Sequence, residues 1–224
     1  MKKQQILTYV LLGILLLAYI VSIPFLPDKI PMHYDINLQV DRYGSKYELL
    51  LVPFIALVFV ILMEIIRKLR VTKEETNGKN NEKIFMISSN LLLSILIVIT
   101  VYQIVMAFIN IEQPVVKAEN FLQITSGCLG VLLMIIGNIM PKAKMNSVVG
   151  LRNKWTKSNE IVWKKSQLFG GICLMITGLA MVIINIFVSG IICVIVSLSL
   201  IMLAVVIIYI YSIVISNKIN KNQG

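Results

Sequence analysis

Residues 191–215 read IICVIVSLSLIMLAVVIIYIYSIVI, an unbroken run without a single charged side chain. Roughly 18–20 apolar residues are enough for a helix to cross about 30 Å of hydrocarbon, and this run exceeds that. Five more runs stand upstream: Ile6–Leu26, Leu49–Ile66, Ile84–Ile111, Phe121–Met140 and Leu168–Val188. The 224-residue chain is 58% hydrophobic and only 14% charged, whereas a soluble domain is about half apolar and a quarter charged. A helix satisfies its own backbone hydrogen bonds, as a lipid-facing segment must, and the alternating pattern of a barrel strand is absent. The sequence therefore predicts an all-α integral membrane protein with six transmembrane helices.

The formal net charge of +10 is distributed in a way that sets orientation. Lys and Arg cluster at Lys2–Lys3, Arg67–Lys83, Lys142–Lys165 and Lys218–Lys221, whereas the remaining connections hold Lys29, Arg42, Lys46 and Lys117. Basic and base-poor connections alternate, so the positive-inside rule places both termini inside and the loops after spans one, three and five outside. Membrane lipids, with anionic headgroups at the basic loops, account for the charge, and direct nucleic-acid binding is not expected. The first run is too long for a signal-peptide core, and Ser22–Pro27 lacks a small-x-small cleavage site, so it reads as a retained span. Cys128, Cys173 and Cys193 fall inside spans without metal-ligand spacing and read as packing thiols.

Two loops carry most of the remaining detail. The outer loop 27–47 reads PDKIPMHYDINLQVDRYGSKY, with Pro24, Pro27 and Pro31 ending the first helix and favouring extended backbone. The inner loop 141–165 reads PKAKMNSVVGLRNKWTKSNEIVWKK and is expected to contain a short helix with Ser158 as N-cap and Glu160 in its first turn. These loops suggest an N-terminal two-helix unit over 1–70, a cytoplasmic tether over 71–83 and a four-helix unit over 84–224. The tether, charged and containing Gly and Asn, reads as flexible. Trp155 and Trp163 read first as headgroup-layer anchors and second as a partner surface.

Small residues recur at seam spacing in span four (Ser126, Gly130, Gly137) and span five (Gly171, Gly178, with Asn185 a heptad on). They predict that these two spans pack closely and hold the inner loop as a hairpin tip. No ionisable residue stands near the middle of a span, which weighs against a proton- or ion-coupled pump. Glu64, near the end of span two, is one turn from Lys68 and placed to pair with it. No catalytic or nucleotide-binding motif occurs, so neither a catalytic site nor a cofactor is expected. His33, Asp35 and Asp41 in the outer loop admit a cation, but local hydrogen bonding explains them better and no metal site is expected. Asp35 and Asn37 are turn formers, and Gly44 can adopt backbone angles other residues avoid. The densest polar and aromatic cluster is Asn146, Gly150, Arg152, Trp155, Thr156, Asn159 and Trp163. Arg152 offers a planar fork of donors to a carboxylate, phosphate or carbonyl, so lipid anchoring and partner recognition both fit the cluster.

The stretch Gly137-Asn138 … Pro141-Lys142 … Asn146 … Gly150-Leu-Arg152-Asn-Lys-Trp155-Thr156 … Asn159-Glu160 … Trp163-Lys-Lys … Gly170-Gly171 resembles the SdpI family of bacterial immunity membrane proteins. Ile30-Pro31-Met-His33-Tyr-Asp35 … Asp41-Arg-Tyr-Gly44-Ser-Lys46 is similar to the small N-terminal membrane domain often joined to that family. The chain departs from the family pattern at Lys154 (usually Pro), Ser166-Gln167 (usually Thr-His) and Leu38 (usually near a Gly). The resemblance implies a non-enzymatic, multi-pass protein of the bacterial plasma membrane with two roles. One is resistance to a secreted hydrophobic peptide toxin, met on the outer face by His33, Asp35 and Asp41. The other is signalling, with Arg152, Trp155 and Trp163 on the inner face sequestering an ArsR-like cytoplasmic autorepressor. A transporter of small amphiphiles and an envelope-stress factor are the competing readings.

Overall fold

The computed structural model describes residues 2–35, 37, 39–71, 78–109 and 115–221. It contains six long helices: α1 (Lys2–Ser22), α2 (Leu51–Ile66), α3 (Gly78–Ile109), α4 (Val115–Ile139), α5 (Glu160–Phe187) and α6 (Gly190–Lys221). All six are long and apolar enough to cross a membrane. Large apolar side chains such as Phe54, Ile176, Phe187 and Met202 cover their outer faces, an exposure suited to lipid. Six spans return the last helix to the end at which the first begins. That termini-bearing end also holds the 140–159 loop, and a β-hairpin, β1 (Lys29–Tyr34) and β2 (Val40–Ser45), occupies the opposite end.

The hairpin is antiparallel, with Ile30 opposite Gly44, and an irregular register around Met32. Extended backbone was expected in this loop from its prolines; the paired ladder was not. The strands are short and Pro-interrupted, and their pairing depends on a turn and a plug. Asp35 Oδ1 accepts the amides of Asn37 and Gln39 at 2.9 and 2.8 Å, which reverses the chain. Ile30, 1% exposed, seats in a core with Leu15, Tyr19, Leu49, Ala56 and Leu93, so the hairpin caps the packed ends of α1, α2 and α3. Gly44 lies in β2 without a positive φ; among the described glycines only Gly150 and Gly190 have one. What position 44 requires is room, because a Cβ there would run into the Glu48 carboxyl that caps the next turn.

α1 packs most heavily on α3, and polar groups fix their register. Thr8 and Gln4 meet Asn90, with Thr8 Oγ1 donating to Asn90 Oδ1 at 2.6 Å, and Tyr19 OH donates to Gln103 Oε1 at 2.7 Å. Arg67, in a π-helical turn after α2, bridges Glu64 and Glu82, each at 2.7 Å. The expected partner of Glu64 was Lys68. Arg67 is an ion-pair partner of Glu64, and its planar fork serves two carboxylates at once and ties the end of α2 to the start of α3. α3 itself starts at Gly78, so residues 78–83 are helical although the sequence suggested a tether.

α4 and α5 form the most extensive helix pair. Their glycines meet in antiparallel register, Gly130 on Gly178 and Gly137 on Gly171. A Cβ added at Gly130 would sit 2.7 Å from Gly178 O, and one at Gly137 2.5 Å from Gly171 O. Backbones this close exclude any larger residue. Asn185 lies at the far end of this seam, its Nδ2 bonded to Met181 O at 2.8 Å and Ser197 Oγ at 3.2 Å. Ser126 lies 3.8 Å from Cys193 of α6 and so also joins α4 to α6.

Candidate functional site: the 140–159 loop and the opposing hairpin

Pro141 ends α4 in a short 3-10 turn, and the chain then runs without regular structure to Asn159. Asn159, not Ser158, is the N-cap: its Oδ1 accepts Ile161 N at 2.7 Å. The expected short helix is the first turns of α5, continuous with the span, because nothing between Glu160 and Phe187 interrupts the helical ladder.

Side chains do the work that regular structure does elsewhere. Asn146 Nδ2 donates to Lys144 O and Val149 O at 2.6 and 3.0 Å, while its Oδ1 accepts Val148 N at 2.7 Å and Val149 N. This closes a tight turn that Gly150, at φ 91°, carries through a left-handed conformation. Gln167 then grips the next residue by both backbone groups: its Oε1 accepts Leu151 N at 2.9 Å and its Nε2 donates to Leu151 O at 2.8 Å. The Thr156 hydroxyl, fully buried, donates to Leu151 O at 3.0 Å and accepts Asn153 N at 3.0 Å. Asn153 Nδ2 reaches Ser212 Oγ at 2.8 Å, and Ser158 Oγ meets Ser216 Oγ at 3.2 Å, both on α6. On the other flank Asn80 Nδ2 donates to Lys142 O at 2.9 Å, and Asn81 Oδ1 accepts Lys144 N at 3.2 Å. The loop is thus bonded to α3, α5 and α6.

Trp163 is 1% exposed and donates from Nε1 to Ala143 O at 2.7 Å, packed beside Ile84 under the loop. It is neither a headgroup anchor nor a contact surface. The loop folds back over it, which no local sequence pattern signals. Asn146 and Thr156 are likewise spent inside the loop. What faces outward is Arg152, whose guanidinium donates to Ser147 O, and Lys154, whose ammonium lies 4.6 Å above the Trp155 ring. Trp155 is half-buried, edge-on to Tyr209 with ring centroids 5.3 Å apart. With Lys142, Lys144, Lys157, Lys164 and Lys165 also exposed and Glu160 the sole acid of 141–165, this face is strongly basic.

In the hairpin, His33 Nδ1 lies 2.6 Å from Asp41 Oδ1, and both side chains are exposed. Asp35 is turned to its own loop backbone, so the three residues named from the sequence are near neighbours without forming one site. Among the described residues no three His, Cys, Asp or Glu gather as cation ligands. Lys46–Asp28 at 3.0 Å and Arg42–Glu48 at 3.1 Å brace the hairpin base. Sequence reasoning missed the Arg67 bridge and the Gln167 grip. The signal for the second was present, since Gln167 is one of the positions at which the chain departs from the pattern of the family it resembles.

Comparison with known proteins gives two family matches. Residues 10–57 match a domain of unknown function, DUF1648, and residues 142–216 match the SdpI/YfhL protein family. Immunity protein SdpI of Bacillus subtilis (strain 168) is 25% identical over 205 residues, 92% of each chain. No solved structure matches significantly.

Proposed function

For this chain, an SdpI-like multi-pass membrane protein with a DUF1648 N-terminal domain, we propose an immunity role: it protects its cell from a secreted hydrophobic peptide toxin. The observation carrying this reading is the similarity to an immunity protein along 92% of both chains, through the hairpin and the 140–159 loop alike. In this reading both termini are cytoplasmic, the hairpin faces outward to the toxin, and the basic loop face meets a cytoplasmic repressor and holds it at the membrane. The buried ionisable groups Arg67 and Glu82 and the half-buried Glu64 lie at helix ends, and no specific observation favours transport.

Survival tests the proposal. The chain is expressed in a sensitive Gram-positive host, challenged with a membrane-active peptide of the toxin class, and compared with Arg152→Ala at equal abundance. Arg152 suits this test because it is exposed, whereas Trp163→Ala would remove a core residue and confound function with folding. Protection by wild type and its loss in Arg152→Ala support immunity acting through the loop. Protection by both keeps immunity and removes Arg152 from it. Killing of cells carrying wild type refutes the immunity reading.

A further inference from the structure

Under the hairpin lies a cavity of about 370 Å³, within the size range of ligand pockets. One wall is β1, and every residue from Ile30 to Asp35 lines it. Side chains alternate between the faces of a strand, so a cavity bordered by six consecutive residues runs along the strand's edge. β1 pairs with β2 alone among the described residues, which leaves its other edge toward this space. Free edges are commonly blunted by charge, by proline or by an irregular register; β2 carries exposed Asp41 and Arg42, whereas β1 is blunted only in part, by Pro31, which lacks an N–H, and by the register shifts on either side of His33. The opposite wall is apolar and aromatic. Tyr102 and Phe121 stack with centroids 3.7 Å apart, and Met106, Ala107 and Leu122 continue the surface inward. Among the described lining residues there is no Lys or Arg, and Asp35, whose Oδ1 closes the hairpin turn, is the one acid.

We propose that this cavity is a peptide slot, in which an extended apolar segment adds to the edge of β1 as a third strand, with its side chains against the α3–α4 wall and a basic group toward Asp35. Strand addition draws affinity from main-chain hydrogen bonds and selectivity from side-chain pockets, and this site supplies both an edge and a pocket. The proposal rests on the immunity reading and says where the peptide is met.

The test uses the full chain in phosphatidylglycerol-containing vesicles. The probe is an alternating Val/Phe hexapeptide with a free amino-terminal Lys and one benzophenone side chain. Saturable photolabelling of the Tyr102–Ala107 segment or of Leu122 is expected, falling about tenfold when alternate amides of the probe are N-methylated, since methylation removes the ladder donors. Ala107→Phe, which fills the cavity, should also suppress labelling. The methylated probe carries the test if that variant does not fold. Equal labelling by the methylated peptide, or no saturable labelling, overturns strand addition. Displacement of the peptide by a photoreactive diacyl phospholipid that labels the same wall overturns it in favour of a lipid site. Survival separates the two readings: protected cells with unlabelled protein retain immunity and lose the slot, whereas labelled protein in killed cells loses immunity alone.

Discussion

Gln167→Ala should free the 140–159 loop without unfolding the bundle. The substitution removes both bonds to Leu151, at 2.9 and 2.8 Å, from a side chain that is fully buried. Leu151 O keeps the Thr156 hydroxyl at 3.0 Å, so the group left without a partner is Leu151 N–H. A stranded buried donor costs about 1–3 kcal/mol. Leu151 is half-buried and water recovers part of this, leaving about 1–2 kcal/mol, or a 5- to 30-fold rise in the open population. Limited trypsin digestion of the detergent-solubilised protein at Arg152 and Lys154 reads that population when opening and closing are fast relative to cleavage. Gln167→Met, similar in length but without polar groups, should match Ala. Gln167→Glu keeps an acceptor for Leu151 N–H yet turns a second acceptor on Leu151 O, and should open at least as readily. Wild-type cleavage rates in the Ala and Met variants would refute the claim that Gln167 holds the loop.

Gly178→Ala should lower the midpoint of SDS-induced unfolding, costing about 1–3 kcal/mol, because its Cβ falls on Gly130 O and Met134; Gly13→Ala, with open space around it, should not. Arg67→Ala leaves the buried Glu82 carboxylate without its cation and takes one from the half-buried Glu64, and should destabilise by about 3–5 kcal/mol on the same titration, with Arg67→Lys intermediate. In a version lacking Cys128, Cys173 and Cys193, Asn37→Cys should react with an impermeant maleimide on intact cells and Lys144→Cys only after permeabilisation. The reverse pattern would invert the proposed orientation.

The spans were legible because hydrophobic length is a property of contiguous sequence. The meeting of α4 and α5 was legible too, since glycines spaced a heptad apart on both helices leave few other surfaces where backbones can touch. The readings that failed depended on contacts between distant segments. Trp163 belongs by composition at an interface, and only a loop folding back onto Ile84 and Ala143 buries it. Lys68 is one turn from Glu64, but nothing along the chain signals that Arg67 joins Glu64 to Glu82 of the next helix. The hairpin strands contain Pro31 and a register irregularity, so neither shows the clean alternation by which a strand is recognised. Ser158 and Asn159 are both good caps, and geometry alone chose between them.

α3 and α6 each run 32 residues, about 48 Å at 1.5 Å per residue, against a hydrocarbon layer of about 30 Å. A rod that much longer than the layer it crosses must lean or protrude. The residues at their termini-bearing ends, Asn80 and Asn81 on one and Ser212 and Ser216 on the other, hold the 140–159 loop from either side. The two helices therefore act as stilts, lifting a platform of amides and hydroxyls toward water, where its bonds can be shared with solvent and where a soluble macromolecule can reach it without entering lipid.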